Sequence, residues 1–299
     1  MNRWARWTLG ATGTLVILAA CAVTAGQIVA TQKLQRRLDI VVAPVAIPET
    51  AAAIERGRYL YASRGCADCH AADGGGRRFI DEGSFRVAGP HIAPGVGSVT
   101  AAYTSQDWVR TVRHGVKPGG RPALIMPSED YNRLTDADLG ALVAYVRQLP
   151  AVAGDPAELD LPLPVRLLYA VGMVQDAAEK IDHGLPPQQP VEDGPTPEHG
   201  RYVAGMCQGC HGSGLSGGRI PGAPPDWPAA ANLTPGSGSA MGPYADERAF
   251  VQMMKSGRRP DGSRIAVMPF GSLSQMNDAD LQGLHAYLRT LPPRPAGER

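Results

Sequence analysis

Apolar residues follow three patterns along this chain. From Trp7 to Ala30 they form a nearly unbroken run of 24 residues whose only ionisable side chain is Cys21, and about 20 such residues suffice to cross a bilayer as a helix. Helical spacing appears later. Leu139, Leu142, Val143, Val146 and Leu149 recur at three- and four-residue steps, as do Leu281, Leu284, Tyr287, Leu288 and Leu291. Thr135 and Asn277 stand as N-caps before acids that suit a first helical turn, and Pro150 and Pro292 mark the ends. A further helix is expected over 165–181, with Leu167, Val171, Val174, Ala178 and Ile181 on one face. It would either cover one unit's core or act as a spacer that sets the distance between two units. Residues 32–52 have little periodicity and read as a stalk.

The two helical patterns belong to an internal duplication. Trp108–Pro150 aligns without a gap onto Phe250–Pro292 at an offset of 142, pairing Gly115 with Gly257, Met126 with Met268 and Tyr145 with Tyr287. Upstream, Glu55-Arg56-Gly57-Arg58-Tyr59-Leu60-Tyr61 leads into Cys66, and Gly200-Arg201-Tyr202-Val203 leads into Cys207. The expected plan is all-α: an anchor over 1–31, the stalk over 32–52, a first unit over 53–150, a proline-rich linker with one helix over 151–197, a second unit over 198–293 and a tail over 294–299.

Composition changes this picture in one respect. With 36 Gly and 27 Pro in 299 residues, the chain is richer in loops than an ordinary domain, and aromatics make up only 6%. A large apolar prosthetic group wrapped by loops would account for both. The net charge of +1, without a basic stripe, gives nucleic-acid binding no support.

The candidate chemistry lies in Cys66-Ala67-Asp68-Cys69-His70 and Cys207-Gln208-Gly209-Cys210-His211. C-x-x-C-H is the attachment signature of c-type haem: two thiols on one side of a helical turn form thioethers to the porphyrin, and the next residue, His70 or His211, is placed to bind iron. A zinc ribbon would need its cysteine pairs about 15 to 20 residues apart, whereas 141 residues separate these two. The motifs use four of the five cysteines, so disulfides are not expected. For the second axial position the first unit offers Met126, its only methionine. Met268 holds the matching place, 58 residues after Cys210 as against 57 after Cys69. Met206, Met241, Met253, Met254 and Met276 lack counterparts and read as packing or surface residues. His91, His114, His183, His199 and His285 read as ordinary surface or core histidines. Arg113, Arg121, Arg258 and Arg264 are candidates to neutralise haem propionates, with solvated surface positions as the alternative for each.

These features together resemble the class I cytochrome c domain: C-x-x-C-H after a Gly-Arg-Tyr helix, Met-Pro on a loop, and a closing Asp-Leu-x-x-Leu-x-x-Tyr-x-Arg-x-Leu-Pro helix. In tandem behind an N-terminal anchor, they resemble bacterial membrane-bound dihaem cytochromes and the cytochrome subunits of periplasmic alcohol and aldehyde dehydrogenases. The resemblance covers Ile54 to Pro293. It implies two covalently bound haem c groups on Cys66, Cys69, Cys207 and Cys210, with His70 and Met126, and His211 and Met268, as axial iron ligands. Many dehydrogenase cytochrome subunits carry three haem motifs, and this chain has two. The loop Asn232-Leu233-Thr234-Pro235 also resembles a family loop near the haem edge, although the first unit has His91-Ile92-Ala93-Pro94 there.

The function implied is a relay of single electrons in the periplasm, from a dehydrogenase to a downstream cytochrome or terminal oxidase. It is not itself an enzyme on this reading. A dihaem peroxidase, which also carries two C-x-x-C-H motifs, is the alternative. The resemblance places the haem domains on the periplasmic side of a bacterial inner membrane. For the N-terminal run an uncleaved anchor competes with a signal peptide cleaved near Ala25 and with lipidation of Cys21 after Leu18-Ala19-Ala20. Lys33, Arg36 and Arg37 after the run outnumber Arg3 and Arg6 before it, which opposes the positive-inside rule.

Overall fold

The computed structural model describes residues 3–224 and 226–298. A long helix, α1 (Arg3–Gln35), opens the chain, and its stretch Gly10–Gln35 is long and apolar enough to cross a membrane. The first unit contains α2 (Ala51–Ser63), α3 (Cys66–His70), strands β1 (Arg77–Glu82) and β2 (Phe85–Gly89), α4 (Ser105–His114), α5 (Ser128–Tyr131) and α6 (Asp136–Gln148). Strand β3 (Glu158–Asp160) and helices α7 (Leu163–Ala170) and α8 (Ala177–Lys180) follow in the linker. The second unit contains α9 (Pro197–Val203), α10 (Gln208–His211), α11 (Glu247–Ser256), α12 (Phe270–Leu273) and α13 (Asp278–Leu288).

Each unit closes by crossing its first helix over its last. A side chain at Gly57 would drive into the carbonyl of Ala141, and one at Gly200 into that of Gly283. Glycine in the Gly-Arg-Tyr motif is thus the residue that lets α2 meet α6 and α9 meet α13 backbone to backbone. The apolar stripes then fill two separate cores. Leu60, Tyr61, Trp108, Val109, Leu139 and Val143 build one, and Val203, Phe250, Met253, Met254, Met276, Leu281 and Leu288 build the other.

Three expectations need correction. The fold is helical but not purely α, because β1, β2 and β3 form a three-stranded antiparallel sheet. Among its described residues the second unit keeps one bridge of this hairpin, Gly218 with Ala230, where the first pairs Arg77 with Gly89. Between those points its sequence is Arg-Ile-Pro-Gly-Ala-Pro-Pro-Asp-Trp-Pro-Ala, and proline has no amide hydrogen to give a ladder. The stalk is likewise no free tether. From Leu38 it runs extended along the first unit, where Leu38 N–H donates to the Gly120 carbonyl at 2.9 Å, Val45 sits in the core and Ser105 Oγ bonds the Val45 backbone.

The linker helix breaks in two, because Gly172 takes a left-handed φ of 79° and ends α7 there. The linker is neither of the two expected devices alone. α8 lies against the first unit, where Ala177 N–H donates to the Ala123 carbonyl at 3.0 Å. α7 instead docks on the end of α1: Tyr169 is buried with Ala30 and Leu124. Arg36 bridges Asp176 at 2.7 Å and Lys33 bridges Glu179 at 3.0 Å.

The two units meet in a pseudo-twofold interface built from equivalent residues. Tyr59 hydroxyl donates to Asp280 at 2.5 Å and accepts from Asn277 N–H at 3.0 Å. Tyr202 hydroxyl donates to Asp138 at 2.5 Å and accepts from Thr135 N–H at 3.4 Å. Each tyrosine therefore plugs the N-terminal turn of the other unit's closing helix. The symmetry is incomplete: Arg64 bridges Asp280 at 2.6 Å, with both side chains nearly inaccessible.

Candidate haem-attachment sites

Each C-x-x-C-H motif lies on a short helical turn, and each turn ends the same way. The residue after the histidine has positive φ with extended ψ, 63° and 165° at Ala71, 79° and 162° at Gly212. The chain then folds back so that Gly76 N–H donates to the His70 carbonyl at 3.0 Å and Gly217 N–H to the His211 carbonyl at 2.9 Å. This reversal brings a carbonyl to each imidazole. His70 Nδ1 lies 2.8 Å from the Pro90 oxygen, and His211 Nδ1 lies 2.8 Å from the Ala231 oxygen.

A carbonyl oxygen can only accept, so Nδ1 carries the proton in both rings and the lone pair is on Nε2. That is the tautomer an Nε2 iron ligand requires, oriented by a second partner as ligating histidines generally are. Burial lowers the His70 pKa, opposed by the bond to Pro90. Burial also pushes the thiols of Cys66 and Cys207 up to about 12 and that of Cys69 up to about 11. No disulfide joins the thiols of either motif.

The methionines share a local structure as well. Met126 carbonyl accepts from Ser128 N–H at 2.8 Å around Pro127 at φ −80° and ψ 61°. Met268 carbonyl accepts from Phe270 N–H at 2.9 Å around Pro269 at φ −78° and ψ 68°. Both are inverse γ-turns, which proline favours by fixing φ. Both methionines are half-buried and pack on the core of their own unit. Met253, Met254 and Met276 are buried in the second core, and Met206 and Met241 pack against it.

The remaining candidates fall to structural roles. Arg113 is buried and donates to the Leu134 carbonyl at 2.6 Å while bridging Asp136 at 2.8 Å. Lys255, its equivalent, ties to the Met276 carbonyl. Arg121, Arg258 and Arg264 lie exposed on the loops before the methionines. His199 bonds Asp280 at 2.7 Å, His285 bonds the Tyr244 carbonyl at 2.8 Å, and His114 bonds His183 at 3.1 Å. His91 is fully buried with neither ring nitrogen bonded. Its neighbour Pro90 and the equivalent Ala231 carry the carbonyls that orient His70 and His211. That role was hidden in the sequence because it is played by backbone, 20 residues downstream of each histidine.

The haem turns sit at the interface between the units. Asp130, on the helix after Met126, accepts from Gly209 N–H inside the second motif at 2.9 Å. Burial, reinforced by Glu129, pushes the Asp130 carboxyl up to about 7 against that bond. In the other direction, Asp68 of the first motif lies against Gly271, which follows Met268-Pro269-Phe270.

The donor set fits haem c in each unit: a thiol pair on one turn, an imidazole whose Nδ1 is held by a carbonyl and whose Nε2 is left for iron, and a thioether on a rigid turn. Comparison with known proteins agrees. Residues 52–146 and 197–288 match the family described as cytochrome c oxidase, cbb3-type, subunit III. The fructose dehydrogenase cytochrome subunit of Gluconobacter japonicus is 28% identical over 81% of this chain and 53% of its own. The gluconate 2-dehydrogenase cytochrome c subunit of Pantoea cypripedii is 26% identical over 83% of this chain and 61% of its own. A diheme cytochrome c-type protein of Cereibacter sphaeroides is 28% identical over 79% of this chain and 85% of its own. The chain thus spans little more than half the length of the two dehydrogenase subunits. It belongs to this cytochrome family and is a dihaem c-type cytochrome with covalently bound haem c, whose role is electron transfer.

Proposed function

We propose that the protein relays single electrons in the periplasm, taking them from a dehydrogenase and delivering them to a downstream cytochrome or terminal oxidase. Cys66, Cys69, Cys207 and Cys210 are the attachment residues, and His70 with Met126 and His211 with Met268 are the axial ligands. Bound haem supplies an iron that cycles between ferrous and ferric states. Thioether ligation favours the reduced form. The protein's part is to hold both axial groups in place through the change. The carbonyls of Pro90 and Ala231 fix the imidazoles, and the two proline γ-turns fix the thioethers.

The observation that carries the reading is the hydrogen bond from Gly209 to Asp130, which joins one unit's haem turn to the helix that follows the other unit's methionine. A relay needs its centres close and its coordination unchanged. Matched ligand sets in both units favour this over the peroxidase reading, which requires one open iron position. Dehydrogenase partnership is supported by relatives named as dehydrogenase subunits. α1 serves as the membrane anchor that keeps both haem units at the bilayer. A redox titration run beside a peroxide assay on the purified dihaem protein tests the proposal. Two high-potential steps without peroxide turnover are expected, and one strongly negative step with rapid turnover would overturn it.

A further inference from the structure

The linker segment Leu161–Val174 reads Leu-Pro-Leu-Pro-Val-Arg-Leu-Leu-Tyr-Ala-Val-Gly-Met-Val and holds a single charge, Arg166. Only part of its apolar surface is used inside the protein. Tyr169 is fully buried against Ala30 and Leu124, whereas Leu163 is 42% exposed, Leu168 38%, Val171 72% and Met173 67%. Four large apolar side chains exposed on a dozen residues would be costly in water.

Their position along α1 gives them a setting. Leu167 packs on Gly26, and Arg166 donates to Thr31 Oγ1 at 2.8 Å. A hydrocarbon core about 30 Å thick takes about 20 helical residues, so a span beginning near Trp7 reaches its far boundary near Gly26. α7 therefore lies beside α1 where acyl chains give way to headgroups. At this level Ile28 and Val29 of α1 are also open. Just beyond, Lys33 with Glu179 and Arg36 with Asp176 form a polar collar.

The C-terminal end of this segment is also prepared for a dry environment, in which every amide needs an internal partner. Val171 N–H donates to Leu167, Gly172 to Tyr169, and both Met173 and Val174 to Leu168. The turn at Gly172 closes the end of α7 on itself and leaves these four donors satisfied without water.

We propose that residues 163–173 are a second membrane contact: an element that lies in the bilayer interface beside the span, with Leu163, Leu168, Val171 and Met173 among the lipid chains. The inference rests on the reading of α1 as an anchor. Its consequence is orientational. A single helix lets the haem units swivel about its axis, whereas a second contact on one side fixes which face of the units looks along the membrane.

Spin labels on the full-length holoprotein in phosphatidylcholine–phosphatidylglycerol vesicles test this. In a Cys21→Ser background, labels are introduced one at a time by Val171→Cys, Met173→Cys, Val16→Cys within the span and Asp182→Cys in the aqueous region, and collision with oxygen is compared with collision with a water-soluble nickel chelate. The label at 16 should read deep in the bilayer, those at 171 and 173 about 5–10 Å below the headgroups, and that at 182 in water. A deep label at 16 with nickel-accessible labels at 171 and 173 overturns the proposal and leaves the anchor standing. Low collision with both reagents at 171 and 173 means a protein partner, such as a second copy, and also overturns it. A nickel-accessible label at 16 removes the anchor and the proposal together.

Discussion

Ala71 carries an unusual backbone load. It occupies a positive-φ, extended-ψ region in which non-glycine residues cost on the order of 1–3 kcal/mol, and its equivalent in the second unit is Gly212. Tyr61 hydroxyl donates to the Ala71 carbonyl at 2.6 Å and holds it there. Ala71→Gly should therefore stabilise the holoprotein by about 1 kcal/mol, seen as a higher guanidinium midpoint at unchanged m-value. Gly212→Ala should do the reverse by about 1–3 kcal/mol. At the other axial position, either Met126→Ala or Met268→Ala should remove about half of the methionine-to-ferric charge-transfer absorbance, and the double variant all of it. An unchanged band in both single variants would reassign the ligands. The paired C-x-x-C-H turns and the matched Met-Pro turns were legible because the repeat aligns them. The carbonyls of Pro90 and Ala231 and the load on Ala71 were not, since backbone roles leave no residue type to find.

Among the elements, what the duplication preserved was readable and what it did not was missed. The closing helices α6 and α13 stand where apolar spacing and their Thr135 and Asn277 caps put them. The sheet escaped notice because its hairpin exists in full in one unit only, the other being rich in proline. The apolar residues of the stalk, Val42, Val45 and Ile47, have no regular period, yet they pack on the first core. In the linker, helical spacing ran straight through Gly172, where the helix stops. The crossings at Gly57 and Gly200 offer a direct test. Gly57→Ala and Gly200→Ala each place a methyl on a backbone carbonyl of the opposing helix, so each should cost at least about 1–3 kcal/mol as overpacking. Thermal unfolding followed at the haem Soret band would show a lower transition, and an unaltered midpoint in both would mean that the crossings relax freely.

For the whole molecule, α1 and the interface between the units decide behaviour. The excess of positive charge after the span is mostly internal: Lys33 and Arg36 are paired with Glu179 and Asp176, which leaves Arg37 as the cation of that group outside the collar. At the interface, burial pushes the Asp280 carboxyl up, but the charge of Arg64 and hydrogen bonds from His199, Tyr59 and Arg64 overcome this and hold it well below the usual range. Its contribution is complete above an unfolded value of about 4 and is lost as pH falls through the lower folded value. Asp280→Asn should thus reduce stability at neutral pH and flatten its fall between about pH 4 and 2, measured by denaturant titration across that range. A parallel acid profile in the variant would place the sensitivity elsewhere. Tyr59 and Tyr202, each seated in the opposite unit, make this interface that of a symmetric dimer held within one chain. A true homodimer must keep its halves identical, so any change on one side appears on the other. Covalent linkage removes that obligation, and Arg64 already uses the freedom: counting back from the motif cysteines, Gly205 stands in its place in the second unit. Two centres carried on one chain are thereby free to differ, and a difference between them is what gives an electron a direction.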